Sequence, residues 1–439
     1  MSEEPALNPL PSGWSTAILG DHVQTAQYGL SLRGGQDGAY PILRMNNLQD
    51  GRLTTANLQY VDLGENELSK FRLRRNDLLF NRTNSIDLVG KTAVFDVPGT
   101  FVFASYLIRL TTDPETLDPS FAYYYLNYPA TQVRLKQLAS RGVSQSNINA
   151  TKLKSLAIVL PPLSEQRAIA HVLRMVQLAK ESTEKVIPAV KQLKKSLMAH
   201  LFRFGPVVLR DACQIPEAET GAGTTPAHWK VAELSSLLRE PLRNGHSAQP
   251  SSSPDGIRTL TLTAVTQKDF SIRNTKVTVA DPERVRDMWL KDQDVFIERA
   301  NTRDYVGLAA LYEGPDGFAI FPDLLVRVRV DYDRALPKFI AEFLDTAPCR
   351  NYFRTNAKAT AGNFPKIDQP IIEKTSVPLP ALETQHTIAT MARRVDDKLR
   401  TEKNGQKILQ DLFESLLHHL MTGKLRVHGL PLLESAGSH

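Results

Sequence analysis

The chain has 439 residues, 42% of them hydrophobic and 23% charged, which is ordinary globular composition, enough for two or three domains with real cores, and excludes a disordered polymer. Its 53 Lys and Arg against 47 Asp and Glu leave a net charge of +6, a mild excess compatible with nucleic acid as a partner without establishing it. Two widely separated cysteines, Cys213 and Cys349, support neither a disulfide framework nor a zinc site. The opening MSEEPALNPLPSGW lacks the basic start and apolar run of a signal peptide, and no stretch reaches the roughly 18 apolar residues of a membrane span. A cytoplasmic protein without membrane contact is expected.

From Trp14 to about Val159, short β-like runs (YPILRMNNL, DLLFNRT, KTAVFDV, FVFASYLIRLTT) alternate with Gly, Pro, Asn and Asp, predicting a strand-rich domain over 1–159. A helical patch, PSFAYYYLNYPATQVRLKQL, precedes the loop SRGVSQSNIN and the strand-like LKSLAIVL. Residues 160–205 then read as one long helix, with Ile169, Val176, Leu193, Leu197 and Leu201 on an apolar stripe. Pro188 is expected to kink or divide it. Residues 206–226, with the run PEAETGAGTTP, have linker composition.

The chain then starts over. A second strand-rich domain is predicted over 227–377, followed by a second long helix over 378–426 with Ile388, Val395, Leu412, Leu416 and Leu420 on its stripe and Gly405 as a weak point. Residues 427–439 read as a flexible tail. The repetition is residue-specific: Asp77, Arg82, Asn84, Asp87 and Gly90 return at a constant offset of 217 as Asp294, Arg299, Asn301, Asp304 and Gly307. LPPLSEQRAIA from Leu160 returns as LPALETQHTIA from Leu379. The fold class is therefore α+β, an internal duplication of two strand-rich domains alternating with two long helices. Each helix, about 40 residues or roughly 60 Å, needs a partner for its stripe, and the nearest is the other copy. This predicts an antiparallel coiled coil, with Leu197 and Leu416 in one seam.

Catalytic motifs are missing. Gly90-Lys91-Thr92 has Ser85 where a phosphate loop needs glycine, and no metalloprotease, dinucleotide or nucleophile-elbow pattern occurs. No metal set is seen, and His200 and His419 sit among leucines at helical spacing. Binding residues are better represented. Arg82, Asn84, Arg141, Gln145 and Asn147 in the first domain, and Arg299, Asn301, Lys358, Asn363 and Lys366 in the second, are groups that meet phosphates and base edges. The competing interpretation makes the repeated arginines structural partners of Asp87 and Asp304.

The LPPLSEQRAIA segment, the FASYLIRL run and the G-x-S-Q-x-N-I loop resemble the specificity subunit of a type I restriction-modification system, and the likeness spans nearly the whole chain. In the second copy TAGNF lacks the Gln of VSQSNI, and LETQHT replaces LSEQRA. The resemblance implies a non-catalytic subunit whose two target-recognition domains read the halves of an asymmetric, bipartite site in double-stranded DNA. It also implies two adenine methyltransferase subunits docked on the helices, which use S-adenosylmethionine; this chain would hold no cofactor. A motor and nuclease subunit completes a restriction complex of that family. The alternative from another class is a tandem-repeat scaffold that binds protein without DNA specificity.

Overall fold

The computed structural model describes residues 10–49, 51–142, 145–253, 255–359 and 364–427. The chain forms two compact units, Met1–Thr183 with Gly405–His439, and Glu184–Asn404.

In the first unit, strands Val23–Tyr28, Leu107–Thr112, Leu78–Asn81 and Thr92–Val94 lie in that order in an antiparallel sheet. Leu78–Asn81 is buried on both faces, which explains the apolar run Leu78, Leu79 and Phe80. Side chains alternate across the pleat. Leu78 and Phe80 join Phe121, Tyr124 and Tyr125 of the helix Pro119–Asn127, while Leu79 packs with Leu43, Phe95 and Phe103 on the opposite side. The second unit repeats the plan with Arg243–Asn244, Leu325–Val328, Val295–Glu298 and Ala309–Leu311. Val295 and Ile297 meet Phe339 and Phe343, and Phe296 meets Tyr312 and Phe321 on the other face. Even the tightest backbone approach is duplicated. A Cβ at Gly29 would overlap the carbonyls of Phe103 and Ala104, and one at Gly245 those of Phe321 and Pro322.

The first long helix runs unbroken over Leu163–Phe204 with Pro188 inside it, correcting the expected division. Pro188 lies on an exposed position of the helix, where its ring meets solvent and not a packed neighbour. Gly205, at φ +82°, ends the helix, its N–H bonded to the Leu201 carbonyl at 3.0 Å. The segment 206–226, expected as a linker, is ordered: a 3-10 turn, Leu209–Gln214, precedes a hairpin of Glu217–Thr220 and Gly223–Pro226. Gly223, at φ +93°, supplies the turn conformation that the linker-like composition concealed. The second long helix, Leu382–Met421, continues through Gly405.

Each long helix begins with the same lock. Gln166, fully buried, accepts from Asp118 N–H at 2.9 Å and donates to the carbonyls of Thr116 at 3.0 Å and Pro161 at 2.9 Å. Gln385, also fully buried, accepts from Leu336 N–H at 3.0 Å and donates to Arg334 and Pro380 at 3.1 and 3.0 Å.

Both units also bury one end of each helix in a single core. Ile169, Ala170 and Leu173 share one with Leu417, Leu420 and Met421. In the other unit Met198, Leu201 and Phe202 share one with Ile388 and Ala392. In each unit the start of one helix therefore meets the end of the other. Ile169, Leu201, Ile388 and Leu420 are buried as expected, and Val176 and Val395 are half-buried. Leu193 and Leu412 are instead 58% and 43% exposed, and Leu197 and Leu416 pack against separate cores, not in one seam. The module cores, and not a continuous heptad seam, do the burying. Leu201→Ala should accordingly lower unfolding free energy by about 3 kcal/mol, whereas Leu193→Ala should change it by less than about 0.5 kcal/mol. Denaturant titration of the two variants checks this contrast.

Candidate nucleic-acid interface

In the first module the strand Leu78–Asn81 continues through Arg82 into Thr83–Asn84, which pairs antiparallel with Ser146–Asn147, which pairs in turn with Ser140–Arg141. Gly142 N–H bonds to the Gln145 carbonyl at 2.8 Å, and Gln145 is exposed. The five residues selected from the sequence thus meet on one three-stranded ribbon; the Arg141 side chain lies outside the described atoms. In the second module Ala300 bridges to Lys366 and Lys366 to Lys358, the latter pair exchanging two backbone hydrogen bonds at 2.9 Å. Ile367 N–H bonds to the Arg299 carbonyl at 2.8 Å, as Ile148 N–H does to that of Arg82 at 2.9 Å. Asn363 lies outside the described residues. The same ribbon therefore carries Arg299, Asn301, Lys358 and Lys366.

The side chains divide by what they touch. Arg82 donates to the Ser105 carbonyl at 3.0 Å, and its guanidinium lies 4.7 Å from the centre of the exposed Tyr28 ring. Arg299 is half-buried and its side chain makes no hydrogen bond or ion pair among the described residues. Lys366 is exposed, and Lys358 meets Asp368 at 3.7 Å across open solvent, a weak tie. The carboxylates of Asp87 and Asp304 pair with neither arginine, nor with any other cation among the described residues. The structural pairs are elsewhere. Buried Asp294 binds Arg329 at 2.5 and 3.0 Å, and buried Asp77 accepts from Arg74 N–H at 2.8 Å and faces Arg109 at 3.8 Å.

The asparagines shape the ribbon. The Asn84 Oδ1 accepts from Ser85 N–H at 2.8 Å and that of Asn301 from Thr302 N–H at 2.7 Å, the same local turn twice. Asn147 donates to Thr83 Oγ1 at 2.6 Å. Asn301 also donates to Glu298 Oε2 at 2.5 Å, and Thr266 Oγ1 donates to Glu298 Oε1 at 2.7 Å. Glu298 is fully buried, and burial holds its carboxyl above the ordinary range against those two donors and Arg350. Sequence reasoning passed over Glu298, whose counterpart is the neutral Asn81, and over Tyr28 and Tyr106, exposed aromatics flanking Arg82. The chemistry offered is cationic and amide-rich, suited to phosphates and base edges. Among the described residues no cluster of three or more His, Cys, Asp or Glu could hold a metal ion, and no helix is long and apolar enough to cross a membrane.

A family model, the type I restriction modification DNA specificity domain, matches residues 13–192 and 326–410. The chain belongs to that family. Its relatives are specificity subunits: a Methanocaldococcus jannaschii protein assigned as the MjaX type I restriction enzyme specificity subunit is 26% identical, covering 96% of both chains. The StySPI type I restriction enzyme specificity subunit of Salmonella potsdam is 24% identical over 95% of this chain and 90% of its own. The fold is that of the type I restriction-modification S subunit from M. genitalium, with a TM-score of 0.60 at 17% identity, over 96% of this chain and 98% of that one. The chain is thus a type I specificity subunit, the non-catalytic class of DNA-recognition subunit.

Glu298 gives this subunit a pH signature. Because its carboxyl is raised in the folded state, ionising it as pH climbs beyond the unfolded carboxylate range of about 4.3 costs stability. Glu298→Gln should be more stable than the parent at neutral pH, with the difference closing in acid. Denaturation midpoints across pH report the sign.

Proposed function

We propose that this specificity subunit reads an asymmetric bipartite site in double-stranded DNA, one half through each ribbon, and carries two adenine methyltransferase subunits on its long helices. Those partners would bring S-adenosylmethionine and flip the target base; a motor and nuclease subunit would add restriction, and the complex would act in the cytoplasm. The observation that carries the reading is the repeated ribbon. Two modules with different surface residues both bring an arginine and further cations or amides to one three-stranded edge. The major groove admits a two-stranded β-ribbon, so two strands of each edge can enter it, and each base pair there presents its own donor and acceptor pattern. Module exchange tests it. Replacing 227–377 with a homologous module of other specificity should change one half of the methylated sequence and leave the other intact by methylome sequencing. If both halves change together, the modules are not independent readers.

The helices offer the docking chemistry. In the first unit Met175 and Leu178 on one helix, and Ile408 and Leu412 on the other, are large apolar side chains in solvent. Changing Ile408 and Leu412 to Asp should abolish co-purification of the methyltransferase with the thermal midpoint unchanged. Retained assembly would place the partner elsewhere.

A further inference from the structure

The loop leaving each ribbon strand is the same one-turn knuckle, built twice. In the first module the N–H groups of Leu88 and Val89 bond to the Ser85 carbonyl at 3.1 and 2.9 Å, and Gly90 N–H returns to the Asn81 carbonyl at 2.8 Å. In the second, Tyr305 and Val306 bond to Thr302 at 3.0 and 2.9 Å, and Gly307 to Glu298 at 2.7 Å. Val89 and Val306 are fully buried anchors, and Gly90 and Gly307 take φ of +90° and +76°. A buried side chain grips each loop from within: Gln132 Nε2 donates to the Gly90 carbonyl at 2.9 Å, and Arg350 to those of Val306 and Asp304, both at 2.7 Å. Loops so firmly fixed nonetheless hold a large apolar side chain in water at the equivalent place, Leu88 at 48% and Tyr305 at 44% exposure.

A single exposed leucine needs no explanation. Here the position keeps an exposed apolar group in both copies while its identity changes, and it lies a few residues beyond the arginine of each ribbon. The preceding residue, Asp87 or Asp304, is exposed and its carboxylate is unpaired among the described residues. A free carboxylate repels phosphate, so a crest carrying one beside a cationic ribbon is suited to base edges and not to the backbone. Cytosine and adenine present amino donors in the major groove, and thymine presents a methyl group.

We propose that the crest of the knuckle, Asp87–Leu88 in the first module and Asp304–Tyr305 in the second, is a base-reading element. The carboxylate accepts from an exocyclic amino group and the apolar side chain contacts a neighbouring base edge or thymine methyl. The change from Leu to Tyr gives the modules different preferences. This inference rests on the reading of the ribbons as DNA surfaces. In the assembled methyltransferase, Leu88→Ala, Asp87→Asn, Tyr305→Ala and Asp304→Asn are compared with Lys366→Ala, by affinity for target and random duplex at several salt concentrations and by selection from randomised targets. Each crest change should weaken target binding about tenfold and relax one position of its own half-site. Leu88→Ala and Tyr305→Ala should leave random-duplex affinity and the salt slope unchanged, and the two Asp→Asn changes, which remove a charge that repels phosphate, should bind random duplex no more weakly than the parent. Lys366→Ala should weaken all sequences and flatten the salt slope. Crest variants identical to the parent, with Lys366→Ala impaired, overturn the inference and leave the ribbon reading standing. If neither set changes binding, the ribbon reading itself falls. Lost methyltransferase assembly with unaltered base preference overturns the inference in favour of a protein contact.

Discussion

A buried glutamine at the start of each long helix is the interaction on which the architecture depends. Gln166 and Gln385 each satisfy three backbone groups, drawn from the segment before the module's helical hairpin and from the proline that opens the long helix. Such a network is favourable only when complete, because each buried group left unpaired costs about 1–3 kcal/mol. Module and helix start are consequently one rigid piece. A force on the helix start is then passed to the module without any loop acting as an adjustable joint.

The duplication preserves that lock and the sheet while allowing the neighbouring space to be filled by unlike chemistry. In the second unit Lys194 meets Glu342 at 2.8 Å and Asp396 at 2.7 Å, and Lys338 meets Asp396 at 2.6 Å. The corresponding positions in the first unit are Phe413, Tyr124, Gln177 and Ser120, where Tyr124 and Phe413 rings lie 6.2 Å apart and the Lys180 ammonium sits 4.7 Å from the Phe413 ring centre. A charged quartet is tolerable in a buried place because its members neutralise one another. The aromatic version needs no such balance. Both tie the two helices together inside their own unit, so backbone plan was conserved under a change of interior chemistry.

What the sequence disclosed follows the same division. Period and offset revealed the two modules, both helices and the repeated Arg82–Asn84 and Arg299–Asn301 positions, since duplication marks equivalent backbone positions regardless of contacts. Contacts were another matter. The stripe through Leu193 and Leu412 has helical spacing whether or not anything covers it, and only the module cores decide which turns are buried. Pro188 reads as a break until its exposed position is known, and PEAETGAGTTP reads as a linker until Gly223 closes the hairpin. Glu298 gave no signal, because its partners Thr266 and Asn301 are brought to it by the fold.

The first unit is discontinuous. Glu165 near the start of the first long helix accepts from Trp14 Nε1 at 2.9 Å and from the Arg426 guanidinium at 2.7 and 2.8 Å, so this unit joins residues from either side of the second unit in sequence. The second unit, Glu184–Asn404, is a single uninterrupted stretch. During synthesis the ribosome therefore releases every residue of the second unit before it releases the segment from Gly405 onward that finishes the first. The module made first must wait, with Leu173 and Tyr124 lacking their covering helix, until the segment from Gly405 onward has been made.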